Sequence, residues 1–222
     1  MSDGLYADGK PSLSGVDAAI VDDVSAEEPW ALVERFADLD RVSGSEDERA
    51  GAAYVTDRLD QFGVGYERFD PSLYLSTPHG AGVEADDGWT AASAKTVSFS
   101  NDGTAEGELV YVENDDEMAS IESMLSVSLD GLPEDLSGKV VMSESIIPIS
   151  AIGELAERGA EAFVGIHPHE REPHEGIVTP VWGGAPPYDE RGRIPDLLVA
   201  NVSASDGREL REKAAAGAEV TV

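Results

Sequence analysis

The stretch IGELAERGAEAFVGI, residues 152–166, decides the fold: it reads as a short helix, a Gly159-Ala160-Glu161 turn and an apolar strand. The design returns at the end of the chain in DGRELREKAAAGAEVTV, residues 206–222, where Asp206 and Glu209 are spaced as a capping box opening a second helix. Between the two lies IPDLLVANVS, residues 194–203, a further apolar strand. Helix and strand alternate, which predicts an α/β (α+β) fold with an open sheet flanked by short helices.

Working upstream, AKTVSFS (94–100), GELVYVE (107–113) and GKVVMSES (138–145) are β-branched runs bounded by Gly, Asn and Asp, and each predicts a strand. Met118, Ile121 and Leu125 recur at helical spacing in DDEMASIESMLSVSL (115–129), which predicts a helix there. Residues 70–93 carry Pro, Gly and Asp clusters and read as a linker loop.

The N-terminal third has a different texture. Residues 1–24 are acidic, Gly/Ser-rich and without periodicity, which predicts loose order. In SAEEPWALVERFADLD (25–40), Ser25 or Glu28 opens a helix with Pro29 in its first turn, and Trp30 and Phe36 read as its core residues. In RVSGSEDERAGAAYVTDRLDQFGV (41–64), Ser45 and Glu48 form a capping box, Ala50, Ala53, Tyr54, Leu59 and Phe62 form an apolar stripe, and Gly63 stops the helix. A pair of amphipathic helices over 25–69 thus precedes a sheet domain over 94–222, with GYERFD (65–70) as a short strand leading away.

Charge bounds the function. The chain has 45 acidic residues against 15 basic ones, a net charge of −30 over 222 residues. Such self-repulsion destabilises a compact fold in dilute buffer and is relieved by salt, so the composition reads as halophilic. It also excludes nucleic acid and anionic membrane as partners, since both need a basic face. The absence of cysteine excludes disulfides and thiolate chemistry. The start MSDGLYADGK lacks the basic–apolar layout of a signal peptide, so the chain reads as cytoplasmic, with export left open.

DLSGKVVMSES, ISAIGELAERGAEAFVGI and IPDLLVANVSASDGRELREKAAAGAEVTV together resemble a protease-associated (PA) domain. In such domains a Gly-Lys-hydrophobic strand precedes a helix ending in Gly-Ala, and an Ile-Pro-hydrophobic strand precedes a Ser-x-x-Asp-Gly helix start. The upstream RVSGSEDERAGAAYVTDRLDQFGV resembles the lead segment of zinc-dependent exopeptidases of the aminopeptidase Y and glutamate carboxypeptidase type. The resemblance implies a partial barrel for the sheet domain. It also implies two zinc ions for the parent enzyme, held by His, Asp and Glu residues of a peptidase domain for which this chain has no counterpart. The final strand runs into Val222 without a closing cap, as expected of a chain cut within a larger protein or, alternatively, of a terminal strand.

The sharpest local signal is HPHEREPHEG, residues 167–176, with three of the four histidines. A zincin needs H-E-x-x-H on one helix face, but His169-Glu170 meets its next histidine five residues on, at His174, with Pro168 and Pro173 opposing a helix. A looser metal site from His167, His169 and His174 remains a candidate, against an acidic solvated loop. A third reading makes this segment, with Trp182 and Tyr188 of VTPVWGGAPPYDERGR, a rim that gates substrate at a neighbouring peptidase site.

Three functional readings follow. The first is the non-catalytic lead and PA domain of a zinc exopeptidase, inactive alone, without a cofactor of its own. Its partners are a peptidase domain in cis and a peptide substrate, with a second copy of the chain also open to it. The second is a stand-alone PA-fold protein-interaction module, and the third a self-contained metallohydrolase using the histidine cluster.

Overall fold

A computed structural model describes residue 20 and residues 23–113, 127–145, 149–168, 170, 172–178 and 194–222. These fall into two compact units, Met1–Phe69 and Asp70–Val222. The expected helix over 115–129 lies almost wholly outside the described residues, as does nearly all of the acidic start.

The first unit holds α1 (Glu27–Ala37) and α2 (Glu46–Gln61). The local signals of α2 act as expected. Ser45 caps it by accepting the Glu48 N–H at 3.0 Å, and Gly63 takes the left-handed conformation (φ 66°) that ends it. The Glu48 carboxylate accepts from the N–H of Gly44 instead of that of Ser45, a one-residue displacement of the box. The start of α1 differs from expectation: its cap position is Ala26, without a side-chain cap, while Ser25 accepts the Glu27 N–H at 3.1 Å.

The core expected for these helices is only partly there among the described residues: Phe36 lies edge-on against Tyr54, ring centroids 6.4 Å apart, but both are only half-buried. Trp30 is 63% exposed, its indole N–H donating to Glu34, and Phe62 at the end of the stripe is 60% exposed. α1 has no buried residue, and in α2 only Gly51 is buried. Residues 65–70 form no strand, and Phe69 is 80% exposed. A strand needs a ladder with a neighbouring strand, and among the described residues this segment pairs with no strand.

The second unit contains β1 (Glu84–Ala85), β2 (Ala94–Thr96), β3 (Glu106–Val112), β4 (Lys139–Ser143), α3 (Ile149–Glu157), β5 (Ala162–Ile166), β6 (Leu198–Val202), α4 (Ala204–Ala215) and β7 (Glu219–Thr221). The strands form one sheet in the order β1-β7-β3-β4-β5-β6-β2. β3, β4, β5 and β6 run parallel, and the edge strands pair antiparallel. β1 and the buried Val83 and Ala85 lie within residues 70–93. β2 ends at Thr96, short of the expected run, because Phe99 turns the chain at φ 66°, an unfavourable backbone for a bulky residue. The Phe99 N–H is held by Ser76 Oγ at 2.8 Å, and its ring lies 5.7 Å from that of Tyr74.

The sheet is curled and open, a half-barrel. Laid flat, seven strands would set β1 and β2 about 29 Å apart. Yet Ala91 donates to Val83 beside β1 at 2.9 Å, and β2 begins at Ala94. Three residues reach roughly 10 Å, so the edges must curve toward each other.

Both faces of the sheet are covered, which is why the central strands are apolar throughout. Val141, Phe163 and Val199 pack with Ile152 and Leu155 of α3. Val140, Met142, Val164, Ile166 and Val202 pack with Leu210 of α4. α4 sits so close to β5 that a Cβ on Gly207 would fall 2.3 Å from Ile166 Cγ2. Gly207→Val should therefore cost about 3 kcal/mol in chemical denaturation, despite the low helix propensity of glycine.

α4 begins one turn earlier than expected, and this is a correction. Ser203, not Asp206, is the N-cap: its Oγ accepts the Asp206 N–H at 3.1 Å, and Asp206 is the third helical residue. Three scarce cations then fasten α4. Arg208 pairs with Glu170, Arg211 with Glu144 over the Tyr111 ring, and Lys213 with Asp87 over the Trp89 ring. No described helix is long and apolar enough to cross a membrane.

Candidate functional site

Ligands of open parallel sheets gather where the strands end at their carboxyl side. At that end β4 finishes in Ser143, β5 runs on into His167, and β6 carries Asn201. His167 continues the ladder, its N–H donating to Val202 O at 2.9 Å, and the residue is only 7% exposed. An apolar parallel strand delivers a histidine to the interior, and Pro168 follows it.

The chain then returns on itself. His174 lies against His167, with ring centroids 6.4 Å apart and planes 11° from parallel. Its carbonyl accepts from Asn201 Nδ2 at 2.9 Å, and its Nδ1 meets the carbonyl of Glu175. Ser98 N–H donates to Gly176 O at 2.8 Å, and Val178 N–H to Ser98 O at 3.1 Å, adding a short parallel bridge to the segment.

Charge pins the same segment to two elements. Arg208 holds Glu170 through both guanidinium nitrogens, at 2.7 and 3.1 Å. That hydrogen bond keeps the Glu170 carboxyl below the usual carboxylate range and raises Arg208 in turn. Lys95 of β2 lies 3.5 Å from Glu172 and 3.7 Å from Glu175. The residues described between 167 and 178 are thus a fastened segment, with the His167 imidazole buried and the exposed His174 ring lying over it.

Of the candidates read from sequence, His167 and His174 come together; His169, Trp182 and Tyr188 lie outside the described residues. Among the described residues no group of three or more His, Asp or Glu could hold a metal ion. Sequence reading missed Ser143, Ser145 and Asn201, all fully buried. The available signal was polarity at the end of apolar strands, where alternation calls for a further apolar side chain.

The fourth histidine, His79, lies elsewhere. It lines a cavity of about 610 Å³ with Ser76, Glu84, Asn101, Thr221 and Val222, among others. This cavity touches the first residues of β6, the end of the parallel strands opposite His167.

No protein-family model and no curated protein matches the sequence. Solved structures do match. An aminopeptidase from Aneurinibacillus sp. strain AM-1 is similar over 91% of this chain and 44% of its own, with a TM-score of 0.62 and 18% identity. A peptidase M28 precursor from Shewanella amazonensis SB2B is similar over 89% of this chain and 46% of its own, at 0.55 and 13%. BSAP, a zinc aminopeptidase from Bacillus subtilis, scores 0.43 at 11% identity, too low to argue a shared fold. The chain therefore has a peptidase-related fold and spans less than half the length of the first two proteins.

Proposed function

We propose that this chain is the non-catalytic portion, helical lead plus PA-type domain, of a zinc-dependent exopeptidase. The observation that carries the reading is the asymmetry of the likeness: nine-tenths of this chain corresponds to under half of an aminopeptidase. Two features of the fold support it. β1, by which the chain enters the sheet, is paired with β7, by which it leaves, Glu84 opposite Thr221. A domain whose entry and exit are adjacent is readily carried on another. In the first unit, the two described helices bury only a glycine, so among the described residues they lack the core a domain of that size needs to stand alone. Their exposed Trp30, Val33, Val55 and Phe62 are suited to a peptidase domain in cis.

In this reading the segment after β5 is a rim beside the substrate path, to which His169, Trp182 and Tyr188 contribute recognition groups, while His167, only 7% exposed, supports the rim from within instead of meeting peptide. Zinc and the residues that ligate it belong to the peptidase domain, where metal-activated water would attack the terminal peptide bond.

The test is hydrolysis of aminoacyl p-nitroanilides with added zinc. This chain alone should show no turnover, and the longer polypeptide of which it is a portion should show turnover abolished by chelation. Turnover by this chain alone, lost on His174→Ala, would replace the proposal with the self-contained metallohydrolase. A longer polypeptide that is inert while this chain captures a partner protein would favour the interaction module.

A further inference from the structure

The register of the central strands sets Ser143, Gly165 and Asn201 side by side across β4, β5 and β6. The row two residues earlier, Val141, Phe163 and Val199, faces the same side and packs in the α3 core. Continued burial calls for three more apolar side chains. The sequence instead supplies a hydroxyl, no side chain, and an amide, with Ser143 and Asn201 both fully buried. Ser145 is fully buried too, its N–H donating to Ser143 O at 2.9 Å.

Among the described residues, three side-chain oxygens here have no hydrogen-bond partner: Ser143 Oγ, Ser145 Oγ and Asn201 Oδ1. The amide cannot be reversed to cure this, because Asn201 Nδ2 is committed to His174 O at 2.9 Å. Reversal would set two oxygens against each other and leave a buried N–H orphaned. Ser143 and Asn201 stand two strands apart, about 9.6 Å between their Cα atoms, and Gly165 on the strand between them brings no side chain. That separation is too wide for a direct hydrogen bond between the two side chains. Polar, roomy interior sites with several unmet partners hold water, whereas apolar ones stay dry.

We propose that Ser143, Ser145 and Asn201 form a built hydration site, holding ordered water in the gap over Gly165. The water donates to Asn201 Oδ1 and exchanges hydrogen bonds with the two hydroxyls. It thereby completes the support of the 167–176 segment, which Asn201 holds by its other amide atom. The ligand is water in preference to a divalent cation, because no carboxylate is among the three orphaned groups and all three oxygens are neutral.

A crystal structure of the whole chain, at a resolution that shows ordered solvent, tests this. Water within hydrogen-bond distance of Asn201 Oδ1 and Ser143 Oγ is the expected result. A dry gap, or these side chains bonded to other protein groups, would overturn it. Exchange into rubidium salts separates water from a monovalent cation, since anomalous signal in the gap would also overturn the assignment. Gly165→Ala adds an independent reading by water–amide NOE. The long-lived water cross-peak at residues 165 and 201 should be present in the native chain and lost in the variant; no cross-peak in the native chain would contradict the proposal.

Discussion

Moving the protein from about 0.1 M to about 2 M KCl is expected to raise its Tm by at least about 10 °C, the screening length falling from roughly 10 Å to under 3 Å. Two effects compete. Salt weakens the surface ion pairs, among them Arg208–Glu170 with side chains 62% and 65% exposed. Exposed pairs contribute only about 0–1 kcal/mol each, so little is lost. With 45 acidic residues and 15 basic ones, most carboxylates have no cation to pair with, and their mutual repulsion is what salt removes. The second effect wins on numbers alone. Thermal unfolding followed by circular dichroism across a KCl series reads it directly, and an unchanged or falling Tm would sink the halophilic reading.

Asp206→Ala is expected to cost about 3–5 kcal/mol, lowering Tm by about 10 °C or more. Asp206 is 4% exposed and accepts three hydrogen bonds: Ala92 N–H at 3.0 Å, Ser93 N–H at 3.1 Å and Ser203 Oγ–H at 2.8 Å. It is therefore the clasp between the start of α4 and the segment that carries the chain from one sheet edge to the other. Truncation leaves the part-buried N–H groups of Ala92 and Ser93 without their acceptor and removes the charge-assisted bond from Ser203, which keeps only Ser205 Oγ as a side-chain partner. Asp206→Asn keeps one acceptor and turns an NH₂ toward a donor, so about half the loss should remain. Urea denaturation of both variants checks the order; a cost below about 1 kcal/mol for the alanine would remove the clasp from the account.

Asp206 also shows where sequence reading stops. In NVSASDG the helix start was legible but its cap was not, because Ser203, Ser205 and Asp206 are all capping residues. What decides between them is a contact to Ala92, 114 residues away in sequence. The strands around Val140, Phe163 and Val199 were legible because burial on both faces writes itself as an unbroken apolar run. GYERFD read as a strand on composition alone, and composition cannot report whether a strand is there to pair with it; among the described residues none does. The order β1-β7-β3-β4-β5-β6-β2 is likewise long-range, placing the last strand beside the first.

The site was legible in part for the same reason. The two prolines and the five-residue histidine spacing of HPHEREPHEG argued against a helical zinc motif, and the described part of this segment is a strand end followed by a returning loop. The stacking of His174 on His167 could not be read from spacing, because it depends on the Asn201 side chain of another strand. Trp30 was read as core from its helical spacing, yet α1 buries nothing among the described residues. Amphipathic spacing marks a face to be covered without saying which chain covers it.

Zinc binding separates the central claim from its rivals most directly. Isothermal titration of this chain with zinc should show no tight site, while the longer polypeptide should bind two ions per chain. Tight one-to-one binding by this chain alone, abolished by His174→Ala or His169→Ala, would contradict the account and return the metal chemistry to residues 167–174.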